Sequence, residues 1–138
     1  MNPAELLPHG GAMMLLDRVI SWNAGSAICA VVSHLDPANP LRREGMLPAV
    51  CGTEFVLQAA AAHGGLRGSD VRRGYVAVLR DVVWMVDRLD DPALGELRAE
   101  ARLVAEETGG VIYDLKLSAE TGGALLTGRA VIAWPTAP

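Results

Sequence analysis

Glu54 stands inside an apolar run, Ala-Val-Cys-Gly-Thr-Glu-Phe-Val-Leu-Gln-Ala-Ala-Ala-Ala-His over residues 49–63, where an ionisable group needs a reason. Burying a carboxylate is costly, and desolvation raises its pKa towards the range useful for a proton donor. Gln58 follows at i+4, one helical turn on, where its amide can orient that carboxylate. Three imidazoles accompany them. His9 lies between Pro8 and the flexible pair Gly10-Gly11. His63 closes the apolar run, where a cation suits a helix dipole, and His34 reads as packing or surface at a strand end. This set points to acid–base chemistry. Cys29 and Cys51 show no CxxC spacing, and no metal quartet can be assembled from them and the three histidines. Cys51 has no adjacent base and reads as a small core thiol. No metal and no cofactor are expected.

The elements that must position these residues follow from pattern. Pro48 suits the first turn of a helix, because its missing N–H would have no intrahelical partner. A helix over roughly residues 48–64, stopped by Gly64-Gly65, is apolar almost all round and therefore belongs inside the molecule. Only a sheet that curls around it can bury it in so short a chain. Met13–Trp22 and Ala27–His34 read as a hairpin joined at Asn23-Ala24-Gly25-Ser26. Residues 36–48 contain three prolines, the last of them Pro48 at the helix opening, and a glycine, and cannot form regular structure. After the helix come Gly74–Val86, then Gly95–Glu106, where Leu97, Ala99, Ala101 and Leu103 alternate with Glu96, Arg98, Glu100 and Arg102. Val111–Ala119 and Ala124–Trp134 complete four strands, read as joined by three meander connections. The class expected is α+β, a long buried central helix wrapped by a curved antiparallel sheet.

Composition sets the outer bounds. With 138 residues the chain fits a single domain spanning 1–138. It is 51% hydrophobic but 4% aromatic, so the core must be aliphatic. A net charge of −4 argues against nucleic acid as a partner. No stretch approaches a membrane span, and Met1–Glu5 lacks a basic n-region and an apolar h-region, so neither membrane insertion nor a signal peptide is expected. Reduced cysteines make a cytoplasmic setting the economical reading.

Two motifs in this order carry a family resemblance. Leu7-Pro8-His9 followed by Met14-Leu15-Leu16-Asp17-Arg18-Val19, and Leu47-Pro48-Ala49-Val50 followed by Glu54 and Gln58, resemble the FabZ/FabA-type 3-hydroxyacyl-acyl-carrier-protein dehydratases of the hotdog superfamily. The resemblance spans nearly the whole chain. Gly52–Gln58 is similar to the dehydratase-like subfamily of aryl-polyene pigment clusters. It implies a hotdog fold and a base–acid pair that eliminates water from a 3-hydroxyacyl thioester carried on acyl carrier protein, in fatty acid or polyene biosynthesis. It also implies that the pair is split between the chains of a dimer. Two positions depart from the family pattern. Fourteen residues before Glu54, where the family places its catalytic histidine, stands Pro40, and the residue after the helix-opening proline is Ala49 where the family has glycine.

Elimination needs a base for the C2 proton, an acid for the departing hydroxyl and donors for the enolate-like thioester oxygen. With Pro40 in the usual place, His9 becomes the expected base and Glu54 the acid. Free N–H groups at the helix start, around Ala49, Val50 and Gly52, are the expected donors, with Gln58 completing the substrate-binding set. Asp17 and Arg18 read as structural. Arg42, Arg43, Arg67, Arg72 and Arg73 flank the helix region, either steering an acidic carrier protein or lying in solvated loops. A homodimer, or a heterodimer with another hotdog protein, is expected because a lone sheet of this kind leaves an edge unpaired; a higher oligomer is open. Two further functions stand beside the dehydratase: an acyl thioesterase, and a catalytically weak partner subunit of an active dehydratase.

Overall fold

Alternation decides which face of the sheet is dry. The computed structural model describes residues 14–68 and 75–133. In β4 (Leu97–Glu107) the side chains of Leu97, Ala99 and Ala101 are buried, whereas Arg98, Glu100 and Arg102 lie on the wetter face. The neighbours repeat the pattern in register: Ala99 faces Leu117 of β5 (Gly110–Ser118) and Cys29 of β2 (Ser26–Val31). With β1 (Arg18–Trp22), β3 (Tyr75–Trp84) and β6 (Ala124–Ala133) they form one six-stranded sheet, every pair antiparallel, in the order β1-β2-β4-β5-β6-β3.

The expected helix is present as α1 (Gly52–Leu66), entered through a tight turn at Ala49–Cys51 after Pro48. Phe55, Val56, Ala59 and Ala62 are wholly buried against the inner face, which α1 meets along β4, β2 and β5. Gly52 sets how close the helix start comes. A methyl group there would stand 2.9 Å from Leu117 Cδ2 and 3.2 Å from Leu89 Cδ1. Gly64-Gly65 does not stop the helix as expected, because packing against the sheet overrides propensity. The chain leaves α1 at Gly68, whose φ of +83° glycine adopts without strain and whose N–H bonds the Gly65 carbonyl.

Two further expectations need correction. The four strands after the helix are not one meander: β3 pairs with β6 at the sheet edge, and β2 takes the place beside β4. Residues 85–96 are long enough to make this crossing, and they pass the helix start, where Leu89 N–H bonds the Leu47 carbonyl and Ala49 N–H bonds the Asp87 carbonyl. His63 is not a charged cap. It is fully buried, with Nε2 2.9 Å from the Asn23 carbonyl and Nδ1 2.7 Å from the Tyr113 hydroxyl. A carbonyl only accepts, so Nε2 carries the proton. Nδ1 then accepts from the tyrosine, and the ring is neutral. Burial lowers its pKa accordingly, and His63 ties the end of α1 to the β1–β2 turn.

Candidate active site

The helix start is built from two strand-like segments lying side by side. Pro48 bridges Arg88, and the bonds Leu89 N–H to Leu47 O and Ala49 N–H to Asp87 O flank that bridge. These bonds decide which amides are available. Ala49 donates to Asp87, Cys51 to the Pro48 carbonyl, and Gly52 to the Ala49 and Val50 carbonyls. Among the described residues the Val50 N–H has no acceptor, and Val50 is 56% exposed. Of the expected donor group at Ala49, Val50 and Gly52, only the Val50 amide is therefore open among the described residues. Gly52 is buried, and its missing side chain makes room for Leu117, Leu89 and Leu126 of this same chain.

Glu54 lies one turn beyond Val50 on the same side of the helix. Gln58, only 2% exposed, donates from Nε2 to Glu54 Oε1 at 3.0 Å while its Oε1 accepts the Leu15 N–H at 3.1 Å. The amide is thus fixed at both ends, its orientation set by a backbone donor from the strand lead-in. Leu57 and Ala61 continue the side on which Val50 and Glu54 lie; all four are at least partly exposed, while Phe55, Val56, Ala59, Ala60 and Ala62 are buried. Among the described residues this side of the helix is an apolar stripe only partly covered, with a carboxylate near its beginning. A polar thioester head beside Val50 and an apolar chain along the stripe would match that layout.

Other expected residues fall differently. His9, Arg72 and Arg73 lie outside the described residues. Pro40 is exposed on the loop beside the helix start, next to Leu41, whose carbonyl accepts the Cys51 thiol at 3.6 Å. Burial pushes that thiol's pKa up, which keeps it protonated. His34 is wholly buried, not on the surface; its Nε2 donates to the Gly95 carbonyl at 2.8 Å. Arg42 does not present a docking charge, since its guanidinium donates to the carbonyls of His34, Asp36 and Gly45. Arg67 forks onto Glu106 and Arg18 onto Glu96, both structural pairs. Sequence reasoning missed Leu15, Asp87 and Asp90 as supports of the site. Asp90, which accepts the Leu47 N–H, lies between the segments read as strands, Gly74–Val86 and Gly95–Glu106. Among the described residues, no three His, Cys, Asp or Glu side chains could hold a metal ion, and no helix is long and apolar enough to cross a membrane.

The family model of the ApeP-like dehydratases, described as ApeP dehydratase, matches residues 1–137. No protein of curated function gives a significant match. Among solved structures, the dehydratase heterocomplex ApeI:P from Xenorhabdus doucetiae aligns with a TM-score of 0.84 at 23% identity, covering 99% of this chain and 92% of that one. The E. coli PaaI protein from the phenylacetic acid degradation operon aligns at 0.64 and 12% identity, over 84% of this chain and 81% of that one. A mutant of the thioesterase PA1618 from Pseudomonas aeruginosa aligns at 0.62 and 16% identity, over 84% and 78%. At these identities the likenesses establish the fold, which is the hotdog.

Proposed function

The chain belongs to the ApeP-like dehydratase family, and from that premise we propose that it removes water from a 3-hydroxyacyl thioester carried on acyl carrier protein. In this reading the base takes the C2 proton and the C3–O bond breaks. Glu54 protonates the departing hydroxyl, and the product is the trans-2-enoyl thioester and water. The observation that carries it is the pairing of Glu54 with a buried, doubly tethered Gln58 on an apolar stripe, one turn from an open backbone donor at Val50. A preorganised N–H aimed at the thioester oxygen is worth most where charge develops. His9 is the proposed base, on sequence grounds. Ala49 and Gly52 serve by shaping the helix start.

A second hotdog chain completes the site. Val78, Leu79, Val83 and Trp84 of the edge strand β3 are exposed, as is Val50, and an unpaired apolar edge strand is what a second sheet covers. The ApeI:P structure is itself a heterocomplex, which supports a different hotdog chain as the partner; a second copy of this chain is the alternative. Pro40 favours one further reading, a partner subunit that shapes the tunnel of an active dehydratase without turning over alone.

The test is product analysis on a 3-hydroxyacyl-carrier substrate, with His9→Ala alongside wild type. Enoyl product from wild type, reduced on the order of 10²-fold in the variant, supports the two-residue mechanism. Free acid as product supports a thioesterase instead. No product from the chain alone supports the partner-subunit reading.

A further inference from the structure

Asp90 lies in the connection between β3 and β4, yet its side chain is only 5% exposed. Oδ1 accepts the Leu47 N–H at 3.1 Å and Arg88 Nε at 2.9 Å; Oδ2 meets Arg88 Nη2 and stands 3.9 Å from Arg42 Nη1. The Arg88 guanidinium holds this carboxyl well below the usual carboxylate range, so it is an anion whenever the protein is folded at ordinary pH. Arg42 carries the carbonyls of His34, Asp36 and Gly45 on its guanidinium. One carboxylate therefore joins three segments: the proline-rich loop, the lead-in to α1, and the crossing after β3.

We propose that Asp90 is a positioning residue for the candidate site, acting through Leu47 to fix the approach of the chain to α1 and hence the direction of the Val50 N–H. This rests on the dehydratase reading of the helix start. Only Pro48 and Ala49 separate Leu47 from Val50, and both are already constrained, Pro48 by its ring and Ala49 by its bond to Asp87. Holding Leu47 at both its N–H and its carbonyl leaves little freedom for the next amide but one. Released from Asp90, Leu47 loses its N–H anchor, and the lead-in is held only through the Leu47 carbonyl and the Ala49 N–H. A small misplacement of a catalytic donor is costly in rate.

The test compares wild type, Asp90→Ala and Asp90→Asn by hydrogen–deuterium exchange and by steady-state kinetics on a 3-hydroxyacyl pantetheine thioester. Asp90→Ala is expected to speed exchange tenfold or more in peptides covering residues 46–53 while β4 and β5 stay protected. It should also lower kcat about tenfold with KM within twofold of wild type. Asp90→Asn keeps an oxygen acceptor for Leu47 and is expected to recover most of both losses. Unchanged exchange at 46–53 in Asp90→Ala, or equal acceleration there and in β4–β5, overturns the proposal. So does an Asn variant as impaired as the Ala variant. If wild type shows no turnover even with its hotdog partner present, the dehydratase reading fails, and the exchange comparison alone decides the role of Asp90.

Discussion

Replacing Gln58 by leucine probes fold and site together, because that amide serves both. Leucine has nearly the volume of glutamine, so the cavity term is small. What is lost is the acceptor for the Leu15 N–H and the donor to Glu54. A buried N–H left without an acceptor costs about 1–3 kcal/mol. Burying an apolar side chain in place of a polar one returns part of this, leaving a net loss of about 1–2 kcal/mol. For a domain of this size that lowers Tm by roughly 3–6 °C. The rate falls further than the stability does, since Glu54 loses the group that orients it; a drop in kcat on the order of tenfold or more is expected. Gln58→Glu separates the two roles. It keeps an acceptor for Leu15 but sets a second carboxylate beside Glu54, so the alkaline limb of the pH–rate profile, which the acid sets, should move to higher pH. Thermal denaturation and pH-dependent kinetics on the three proteins give the answer. Wild-type Tm and kcat in Gln58→Leu, or an unshifted profile in Gln58→Glu, would refute the reasoning.

Acid should weaken the fold before any carboxylate titrates. Burial holds His34 and His63 below their ordinary pKa of 6.5, so below that pH the unfolded chain takes up protons that the folded one refuses. Stability is complete above pH 6.5 and falls as pH drops towards the folded values; urea midpoints at pH 7.5 and 5.0 check this, and an equal or higher midpoint at pH 5.0 contradicts it. Gly52→Ala should lower Tm despite a helix-propensity gain of about 1 kcal/mol, because the added methyl would crowd Leu117 and Leu89 and overpacking costs about 1–3 kcal/mol; a higher Tm would show that the helix start is not tightly seated. Light scattering should find the chain paired, with itself or with a second hotdog chain, and Leu79→Asp on the β3 edge should break that pairing. A stable folded monomer at micromolar concentration would remove the two-chain site.

Strand positions were legible wherever one face is wet. Residues 97–102 alternate strictly, and Leu97, Ala99 and Ala101 are the buried set. The buried helix was legible from its lack of a polar face. Strand order was not: a meander is the simplest connection, and nothing local in residues 85–96 announces that they cross past the helix start to leave β3 outside β6. Gly64-Gly65 looked like a stop because propensity is local, while packing against β2 and β4 is not. At the site, the Glu54–Gln58 bond follows from i+4 spacing. The tether of Gln58 to Leu15 spans 43 residues, as does that of Asp90 to Leu47, and no periodicity encodes either. Arg42 looked like a surface charge because a sequence cannot say that three loop carbonyls converge on it.

The central claim is that Glu54 works as the acid of a dehydration, and the most direct measurement is product formation by Glu54→Gln against wild type. Both proteins, with the hotdog partner present if one is required, are given a 3-hydroxyacyl thioester on carrier protein, and the acyl chain is read by mass spectrometry for loss of one water. Glutamine preserves the shape and the hydrogen-bonding reach of Glu54 but cannot deliver the proton. Wild type should therefore form the enoyl thioester, and Glu54→Gln should be slower by on the order of 10²-fold or more at similar Tm. Enoyl product from Glu54→Gln at the wild-type rate would contradict the account.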